Sequence, residues 1–384
     1  MGKVIGTAIK PIRYGLVGAG AFGSFCIEHY RKSSLIDVRA VADVNADAAK
    51  TMAAKLSIDA VGSAEELFAR DDIDLVHLAT PPFTHRELTL KAIAAGKHVL
   101  CEKPLATSVE DARAMLDAAA EANRVLVVNL IMRYDPLNEA VAKILSKELL
   151  GAPLAASLTN LAGDWKLSPS HWFWNRAKSG GIFVEHSVHF FDLFAMFLGD
   201  AKVLSAAQAT RLGNNAIVEQ VMSSARHVNG VLATQYHGFH QPGQMDRQEL
   251  RIICEKGDIR LFDWLTTRVA IDAMLDEASA QKLIACFPQP PTVKTSALKP
   301  NAPGMDPHDV LARHKRWHAD HRYAIEATLG DGEKQTLYGD AIRELLEDQV
   351  KFIRDPSHVR RVTEANGLTS LEMASRARDL AERE

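Results

Sequence analysis

Short apolar runs rich in β-branched residues alternate from Arg13 onward with longer segments whose apolar positions recur at helical spacing. Tyr14 to Gly18 predicts a strand, Ala21 to Lys32 a helix and Ile36 to Asp43 a second strand, which together make one βαβ unit. Further strands are predicted at residues 75–79, 98–102 and 125–130. This alternation indicates an α/β domain built on a parallel sheet.

The pattern changes after Asp135-Pro136. A predicted helix to about Leu150 leads to short strands whose connections are often too short for crossover helices, which indicates a largely antiparallel sheet. These strands are predicted at residues 154–161, 203–211, 218–225, 231–236, 249–254 and 258–262. The proline-rich stretch from Phe287 to Pro307 predicts a loop, and two helices, at 338–354 and 364–381, close the chain. We therefore predict two domains, residues 1–135 and 136–384.

Length, charge and cysteine usage narrow the class of protein. A chain of 384 residues suits two domains, and its net charge of −3 offers no basic field for phosphate backbones, so we expect no nucleic-acid partner. The four cysteines are scattered without CxxC spacing, which favours a reducing compartment over a zinc knuckle or a disulfide framework. We find no signal peptide and no apolar segment of membrane-spanning length, and so expect a cytoplasmic protein without membrane contact.

The turn from Gly18 to Gly23 reads Gly-Ala-Gly-Ala-Phe-Gly and lies between the first predicted strand and helix. This GxGxxG pattern, with Asp43 ending the next strand, predicts a dinucleotide site. The glycines allow a tight turn and close approach of the pyrophosphate to the helix N-terminus, and Asp43 is placed to bind the adenosine ribose. A carboxylate at Asp43 repels a 2′-phosphate, which favours NAD over NADP. The alternative is a set of ordinary turn glycines with a surface aspartate.

Two further segments carry candidate catalytic groups. Glu102-Lys103-Pro104 ends a strand of the parallel sheet, which places Lys103 at the carboxyl edge where such sheets bind ligands. A solvated surface lysine is the alternative. In the segment from Gly180 to Asp192, which reads as a loop entering a helix, Glu185 and His189 are four residues apart and predicted to share one helix face. A carboxylate and an imidazole side by side suit proton removal from a hydroxyl.

Several motifs agree in order with one family. They are Gly15 to Gly23, Asp43, Thr80-Pro81-Pro82 with His85, Gly96-Lys97-His98-Val99 leading into Glu102-Lys103-Pro104, Arg133-Tyr134-Asp135-Pro136, and the Gly180-Gly181 segment ending in His189 to Asp192. Together they resemble the glucose-fructose oxidoreductase / inositol dehydrogenase family (Gfo/Idh/MocA) over nearly the whole chain. The resemblance implies an N-terminal Rossmann NAD(P)-binding domain and a C-terminal α+β domain with a large, mostly antiparallel open sheet. That second domain is expected to bind substrate and to form a homo-dimer or homo-tetramer.

The resemblance also implies roles for particular residues. Lys103 is the expected catalytic lysine, His189 the general acid/base and Glu185 the carboxylate that the family commonly supplies as aspartate. The expected cofactor-binding residues are Gly18, Gly20, Ala21, Phe22, Gly23, Asp43, Thr80, Pro81, His85, Glu102 and Lys103. The implied reaction is hydride exchange between nicotinamide and a ring hydroxyl of a sugar, glycoside or cyclitol.

An aromatic and charged loop between residues 164 and 176 suggests substrate recognition, because tryptophan faces stack on sugar rings and polar groups bind hydroxyls. The expected substrate-binding residues are Lys166, His171, Trp172, Trp174 and Arg176, together with Arg133 and His186. The alternative is a hydrophobic anchor that holds this loop on the sheet. His186 and His189 lie near Glu185, but the HxxH spacing lacks a third nearby ligand, so we expect no metal.

Three other functions stay open at this stage. A redox glycosidase would oxidise a glycoside, eliminate the aglycone and re-reduce the sugar with its retained cofactor, and an anionic sugar is one candidate substrate. A non-catalytic dinucleotide-binding sensor would keep the fold without turnover, although an intact Lys103 and His189 argue against it. A reductase using NADPH on a carbonyl or an imine is the third.

Overall fold

Two β-sheets organise the chain, which the computed structural model describes over residues 9–164, 167–330 and 334–383. The strands of the first sheet are β1 Ile12–Val17, β2 Ile36–Ala42, β3 Asp59–Val61, β4 Leu75–Leu78, β5 His98–Cys101 and β6 Leu126–Val128. They lie in the order β3-β2-β1-β4-β5-β6 and every pair is parallel. This is the strand order of a dinucleotide-binding Rossmann domain, in which ligands bind at the carboxyl ends of the strands.

Helices connect these strands, and several begin at residues that the sequence marks as caps. The helices are α1 Ala21–Tyr30, α2 Ala46–Leu56, α3 Ala64–Phe68, α4 His85–Ala94, α5 Val109–Glu121 and α6 Pro136–Ser146. Asn45 accepts hydrogen bonds from the first amides of α2, and Asp135 does the same for α6, which has proline at its first position. Short polar side chains thus set where α2 and α6 begin.

The second sheet has nine strands. The remaining strands of the chain are β7 Pro153–Leu161, β8 Ala201–Arg211, β9 Asn214–His227, β10 Leu232–Gly238, β11 Arg247–Cys254, β12 Gly257–Phe262, β13 Arg268–Leu275, β14 Thr292–Ser296, β15 Asp309–Ala312, β16 Lys315–His318 and β17 His321–Thr328. The large sheet has the order β14-β17-β13-β12-β11-β7-β10-β9-β8, with β7 and β10 as its parallel pair, and β15 and β16 form a separate hairpin. The predicted α/β fold class with a mostly antiparallel second sheet is confirmed.

The sequence missed part of this second sheet. The proline-rich stretch predicted as a loop contains β14, whose residues are all exposed at the sheet edge. An exposed edge strand lacks the apolar alternation on which the prediction depended. The strand β13, the helix α9 Glu277–Ile284, the hairpin and β17 were also not predicted.

Two closing helices bring the C-terminus back to the first domain. They are α10 Lys334–Arg354 and α11 Glu364–Ala381, close to the predicted ranges. Buried residues of both helices belong to the same apolar core as the parallel sheet, and α11 also packs on β8. The division at residue 135 stays a prediction, and it assigns to the second domain two helices that complete the core of the first.

The segment Arg176–Leu198 corrects the expectation that no segment has membrane-spanning length. It contains α7 Arg176–Ser179, a π-helical turn over Phe183–Ser187 and α8 Val188–Leu198. By length and composition this 23-residue helical segment could cross a membrane, but 78% of its most apolar window is buried inside the protein. Its apolar character therefore fits a core helix, which α8 is, since most of its side chains are enclosed by the surrounding elements.

Candidate functional site

The glycine-rich turn has the geometry that a bound dinucleotide requires. Gly18 has a positive φ of 109°, and a Cβ there would lie 2.3 Å from the Ala79 carbonyl oxygen. A Cβ on Gly23 would lie 2.2 Å from the Gly18 carbonyl oxygen, whereas nothing lies within 4 Å of a Cβ on Gly20. Gly18 and Gly23 thus serve the packing of the chain itself, and Gly20 leaves open space at the N-terminus of α1.

Asp43 follows β2 and faces this turn. One carboxylate oxygen accepts a hydrogen bond from the Ala19 amide at 2.6 Å and the other accepts from the Asn45 amide at 2.7 Å. These bonds hold the carboxylate beside the glycines and leave lone pairs for a further donor. Val44, the next residue, is fully exposed and provides no cation for a phosphate. The turn and Asp43 therefore fit an adenosine diphosphate whose ribose carries free hydroxyls.

A cavity of about 370 Å³ lies at the carboxyl edge of the parallel sheet, next to this turn. It is lined by Phe22, Glu102, Lys103, Asn129, Ile131, His186, His189, Trp264 and Tyr338. The first five come from the Rossmann domain, and the others come from the π-turn and α8, the loop after β12, and α10. The cavity thus brings the predicted lysine and histidine together between the two sheets.

Lys103 is held by Glu185. The ammonium of Lys103 donates to the Glu185 carboxylate at 2.6 Å and to the Glu185 backbone carbonyl at 2.9 Å. The Lys103 side chain is 22% exposed and that of Glu185 11%. Lys103 lines the cavity, whereas Glu185 does not. Glu185 therefore lies behind the lysine and orients it.

The backbone around Glu185 differs from an ordinary helix start. Residues 183–187 form a π-helical turn that leads directly into α8, which carries His189. The Glu185 carboxylate pairs with Lys103, and no hydrogen bond joins Glu185 to His189 within the part of the chain that the structure describes. The shared helix face of Glu185 and His189 stays a prediction.

His189 is the other expected catalytic group and is 4% exposed. Burial, with a smaller contribution from the Lys103 charge, holds the pKa of His189 well below its usual range. The Nδ1 atom of His189 is fully buried without a hydrogen-bond partner, whereas its Nε2 atom is not among the buried unpartnered atoms. The ring packs edge-on against Trp264, with centroids 5.5 Å apart. His189 is thus a neutral imidazole at neutral pH, as a proton acceptor must be.

Glu102 lines the cavity, and two buried side chains hold its carboxylate in place. Its carboxylate accepts from Asn129 at 2.8 Å and from the buried His77 at 2.9 Å, and the other nitrogen of His77 lies 2.8 Å from the Tyr14 hydroxyl. With Tyr14 donating to Nδ1 and Nε2 donating to Glu102, both ring nitrogens of His77 have partners. Glu102 is therefore a fixed carboxylate beside Lys103.

The remaining predicted cofactor residues differ in their accessibility. Thr80 and Pro81 follow β4 directly, at the carboxyl edge of the sheet. His85 is completely buried, and its two ring nitrogens lie 2.8 and 2.9 Å from the carbonyl oxygens of Thr80 and Pro104. The expectation that the His85 ring binds the cofactor is wrong, because the ring bridges two loops and is closed off from the cavity.

Arg133 was expected to bind substrate, and the structure places it elsewhere. Its guanidinium makes three hydrogen bonds of 2.8 to 3.0 Å to the carboxylate of Asp192, which is 2% exposed. Arg133 does not line the 370 Å³ cavity, and its bidentate pair joins the turn before α6 to α8.

The described part of the aromatic loop, residues 167–176, does not line the 370 Å³ cavity. Trp174 packs edge-on against Phe173 and Phe239, and its indole N–H donates to the Leu167 carbonyl. Trp172 packs against the apolar core, and His171 accepts a hydrogen bond from the Phe173 amide. These contacts fit the alternative interpretation, in which the loop is a hydrophobic anchor on the sheet.

Arg176 provides no cation to the 370 Å³ cavity. It is exposed and pairs with Glu382. Lys166 lies outside the described residues. Of the expected substrate residues that the structure describes, His186 alone lines this cavity.

Several lining residues were not predicted. Trp264 and Tyr338 form an aromatic wall, with their ring centroids 5.3 Å apart, and Asn129 and Ile131 follow β6. Asn129 could have been found, because a polar residue at the carboxyl end of a parallel strand is a typical ligand position. Nothing local distinguishes Trp264 or Tyr338, since they reach the site through the packing of distant elements.

Two groups of potential metal ligands occur in the described ranges. Cys26, His77 and Glu102 lie close together below the cavity, but both nitrogens of His77 already face hydrogen-bond partners. His308, His318 and Asp320 lie at the open end of the hairpin of β15 and β16. Neither group includes Lys103, His189 or Glu185.

The fold and this cavity define a class of protein, an oxidoreductase with a Rossmann domain. A family model described as "Oxidoreductase family, NAD-binding Rossmann fold" matches residues 12–130, and a model of the GFO/IDH/MocA C-terminal domain matches residues 139–260. The chain belongs to the GFO/IDH/MocA family of oxidoreductases.

Relatives with known names agree with this membership. The chain is 33% identical over 232 residues to a 1,5-anhydro-D-fructose reductase of Ensifer adhaerens, covering 59% of this chain and 68% of the relative. It is 31% identical to an inositol 2-dehydrogenase of Rhizobium meliloti (strain 1021), covering 54% of this chain and 61% of that protein. A levoglucosan dehydrogenase solved with NADH and levoglucosan has the same fold, with a TM-score of 0.76 at 19% identity over 97% of this chain and 98% of that one.

Proposed function

We propose that this protein transfers a hydride between a ring hydroxyl of a sugar, glycoside or cyclitol and the nicotinamide of NAD. The observation that carries the proposal is the meeting of Lys103, held by Glu185, and a neutral His189 in one cavity beside the glycine turn. Trp264 adds an aromatic face of the kind that stacks on the apolar side of a sugar ring. The named relatives that act on anhydrofructose and inositol support this substrate class.

His189 and Lys103 have different tasks in the oxidation: one accepts a proton and the other stabilises a negative charge. His189 accepts the hydroxyl proton, because burial keeps its imidazole neutral. The ammonium of Lys103 donates a hydrogen bond to the same oxygen and stabilises the negative charge that develops there. Bound NAD supplies the hydride acceptor. In the reverse direction, His189 returns the proton to the carbonyl oxygen.

Asp43 supports NAD as the cofactor in preference to NADP. Its carboxylate is fixed beside the turn by the amides of Ala19 and Asn45 and would repel a 2′-phosphate. Calorimetry with NAD and NADP tests this preference. We expect Asp43→Ala to weaken NAD binding and to reduce the difference between the two cofactors, whereas an equal preference in the native protein would contradict it.

The experiment that tests the reaction is NADH formation across sugars, inositols, uronic and sulfonated sugars and their glycosides. We expect Lys103→Ala to lower kcat by about 100-fold or more, with NAD binding retained. Unchanged turnover would remove Lys103 from the mechanism. Binding of NAD without turnover of any compound in the panel would favour the non-catalytic sensor.

Glycoside cleavage is an alternative outcome that the same assay separates. A redox glycosidase would release sugar with no net NADH, whereas the dehydrogenase forms one NADH per sugar oxidised. Measuring free aglycone beside NADH decides between the two.

We also propose a homo-oligomer formed through the open face of the second sheet. One face of this sheet packs on α6 and α8, and the opposite face exposes apolar side chains on several of its strands. They are Leu204, Met222, Leu232, Ile253 and Met274. Exposed apolar side chains on one face are typical of subunit contacts. Light scattering tests this, and a monomer at micromolar concentration would contradict it.

A further inference from the structure

A second cavity of about 170 Å³ adjoins the first one and shares two lining residues with it, His186 and Trp264. It extends along the inner face of the large sheet, past Asn160 on β7 and Gln248 on β11. A substrate ring placed between Lys103 and His189 would therefore have a continuation of the cavity beside it. The residues of this second cavity differ in character from those of the first.

The inner wall of the second cavity is a chain of buried amides. Asn160 and Gln248 lie opposite each other on paired strands, are each 4% exposed, and are joined by a 3.2 Å hydrogen bond. The His186 Nε2 lies 2.8 Å from the Asn160 side-chain oxygen. Burial first, and then the charges of His237 and Lys103, hold the pKa of His186 well below its usual range, so its neutral ring donates to Asn160. The three side chains thus have one fixed orientation.

This chain leaves hydrogen-bonding groups for a ligand. The side-chain oxygen of Gln248 accepts a hydrogen bond from Asn160. Its side-chain nitrogen is open to the cavity and has no partner among the described residues. His186 likewise keeps Nδ1 as an acceptor once Nε2 has donated. Buried amides on a sheet face lose hydration, and a polar ligand restores the lost hydrogen bonds.

The outer wall carries charges of both signs. Arg247 donates to the Gln241 side chain, and in the described ranges neither Arg247 nor Lys334 forms a salt bridge. Asp246 and Asp263 line the same cavity. A wall with amide donors, cations and carboxylates side by side matches hydroxyl groups, which both donate and accept. It is poorly suited to a purely anionic or a purely apolar group.

We propose that the second cavity binds a second hydroxylated ring, so that the preferred substrate is a disaccharide or a glycoside with a sugar-like aglycone. This inference rests on the proposed function. The ring to be oxidised lies against Lys103, His189 and Trp264, and the second ring contacts Gln248, His186 and the charged outer wall. Specificity then depends on residues that take no part in hydride or proton transfer.

The test compares each monosaccharide with disaccharides that contain it. Glucose is measured against cellobiose and maltose, and galactose against lactose, by kcat/KM with NAD and by calorimetry with the NAD-loaded protein. We expect at least one disaccharide to exceed its monosaccharide by about tenfold. Gln248→Leu, which keeps the size of the side chain, should lower that ratio by about tenfold. Lys334→Ala, at the exposed mouth, should lower it as well, and Lys294→Ala on the distant strand β14 serves as the matched control.

The outcomes separate this inference from the proposed function. Turnover of monosaccharides with no preference for any disaccharide would overturn the second-ring site and leave the reaction intact. An equal disaccharide-to-monosaccharide ratio in the native protein, Gln248→Leu and Lys334→Ala would also overturn the second-ring site. Thermal unfolding identifies a variant that has lost its fold. Where no sugar is oxidised, the calorimetric ratio still tests the site. Failure of every pair to bind would count against both proposals.

Discussion

The two halves of the cavity are built in different ways. The cofactor half consists of short contiguous motifs, the glycine turn and Glu102-Lys103-Pro104, each at the carboxyl end of a parallel strand. The substrate half combines side chains from β7, β11, α8, α10 and the loop after β12, which are distant in the sequence. Backbone geometry dominates the first half, whereas side-chain packing between elements creates the second. Substitutions should therefore act through the backbone in one half and through ligand contacts in the other.

The glycines provide the largest expected effect. Gly20→Ala should leave the folding free energy nearly unchanged, because open space surrounds the added Cβ, yet weaken NAD binding by about 100-fold, or about 2.7 kcal/mol. Gly18→Ala should instead destabilise the fold by about 1–3 kcal/mol, because its φ is positive and the Ala79 carbonyl is in the way. Urea unfolding and calorimetry measure the two quantities. Equal effects of both variants on stability would contradict this division.

A pair of tryptophans tests the substrate half. Trp264→Ala should raise the KM for the sugar by about tenfold, since Trp264 lines the cavity and packs on His189. Trp174→Ala should lower the free energy of unfolding by about 1–3 kcal/mol with little change in KM, because Trp174 anchors its loop. Steady-state kinetics and thermal unfolding of both variants provide the comparison. A large KM change in Trp174→Ala would restore the aromatic loop to substrate recognition.

Glu185 connects the two halves and should have an intermediate effect. We expect Glu185→Gln to lower kcat about tenfold, because it removes the charge that orients the Lys103 ammonium but keeps an oxygen acceptor. Glu185→Asp retains the charge with a shorter reach and should lose less activity. An unchanged kcat in Glu185→Gln would argue for a purely structural carboxylate.

The smallest expected effect is the change of the free energy of unfolding with pH. Burial lowers the pKa of His85 and His189, and that of His237 to about 3. The unfolded chain binds more protons than the folded one once the pH falls below about 6.5, so stability decreases from there toward the folded pKa values. Each such histidine contributes at most about 1.4 kcal/mol per pH unit.

Urea unfolding at pH 7, 6 and 5 measures this dependence. His237→Gln should reduce the slope of the free energy of unfolding against pH by about one proton. Equal slopes in the native protein and His237→Gln would contradict the assignment of that proton to His237.

The cofactor half could be predicted because its signal is local. Gly18, Gly20 and Gly23 are required by backbone conformation and close approach, and these needs select glycine at fixed spacing regardless of the rest of the chain. Lys103 follows a buried strand, and the end of a parallel strand is itself a ligand position. Family membership, the two sheets and the NAD-binding domain all follow from such local patterns, and the comparisons bear them out.

Only the tertiary structure decided which polar and aromatic residues line the cavity. Arg133, Trp174 and Arg176 have suitable chemistry, but packing commits them to Asp192, to the apolar core and to Glu382. Trp264 and Tyr338 carry no local mark and reach the cavity because the loop after β12 and α10 pack beside α8 and the glycine turn. The partner of Glu185 was likewise decided by a tertiary contact, since Lys103 lies 82 residues away in the sequence. Residue types and short spacings determine which chemistry is possible here, and contacts between distant elements determine which groups are free to perform it.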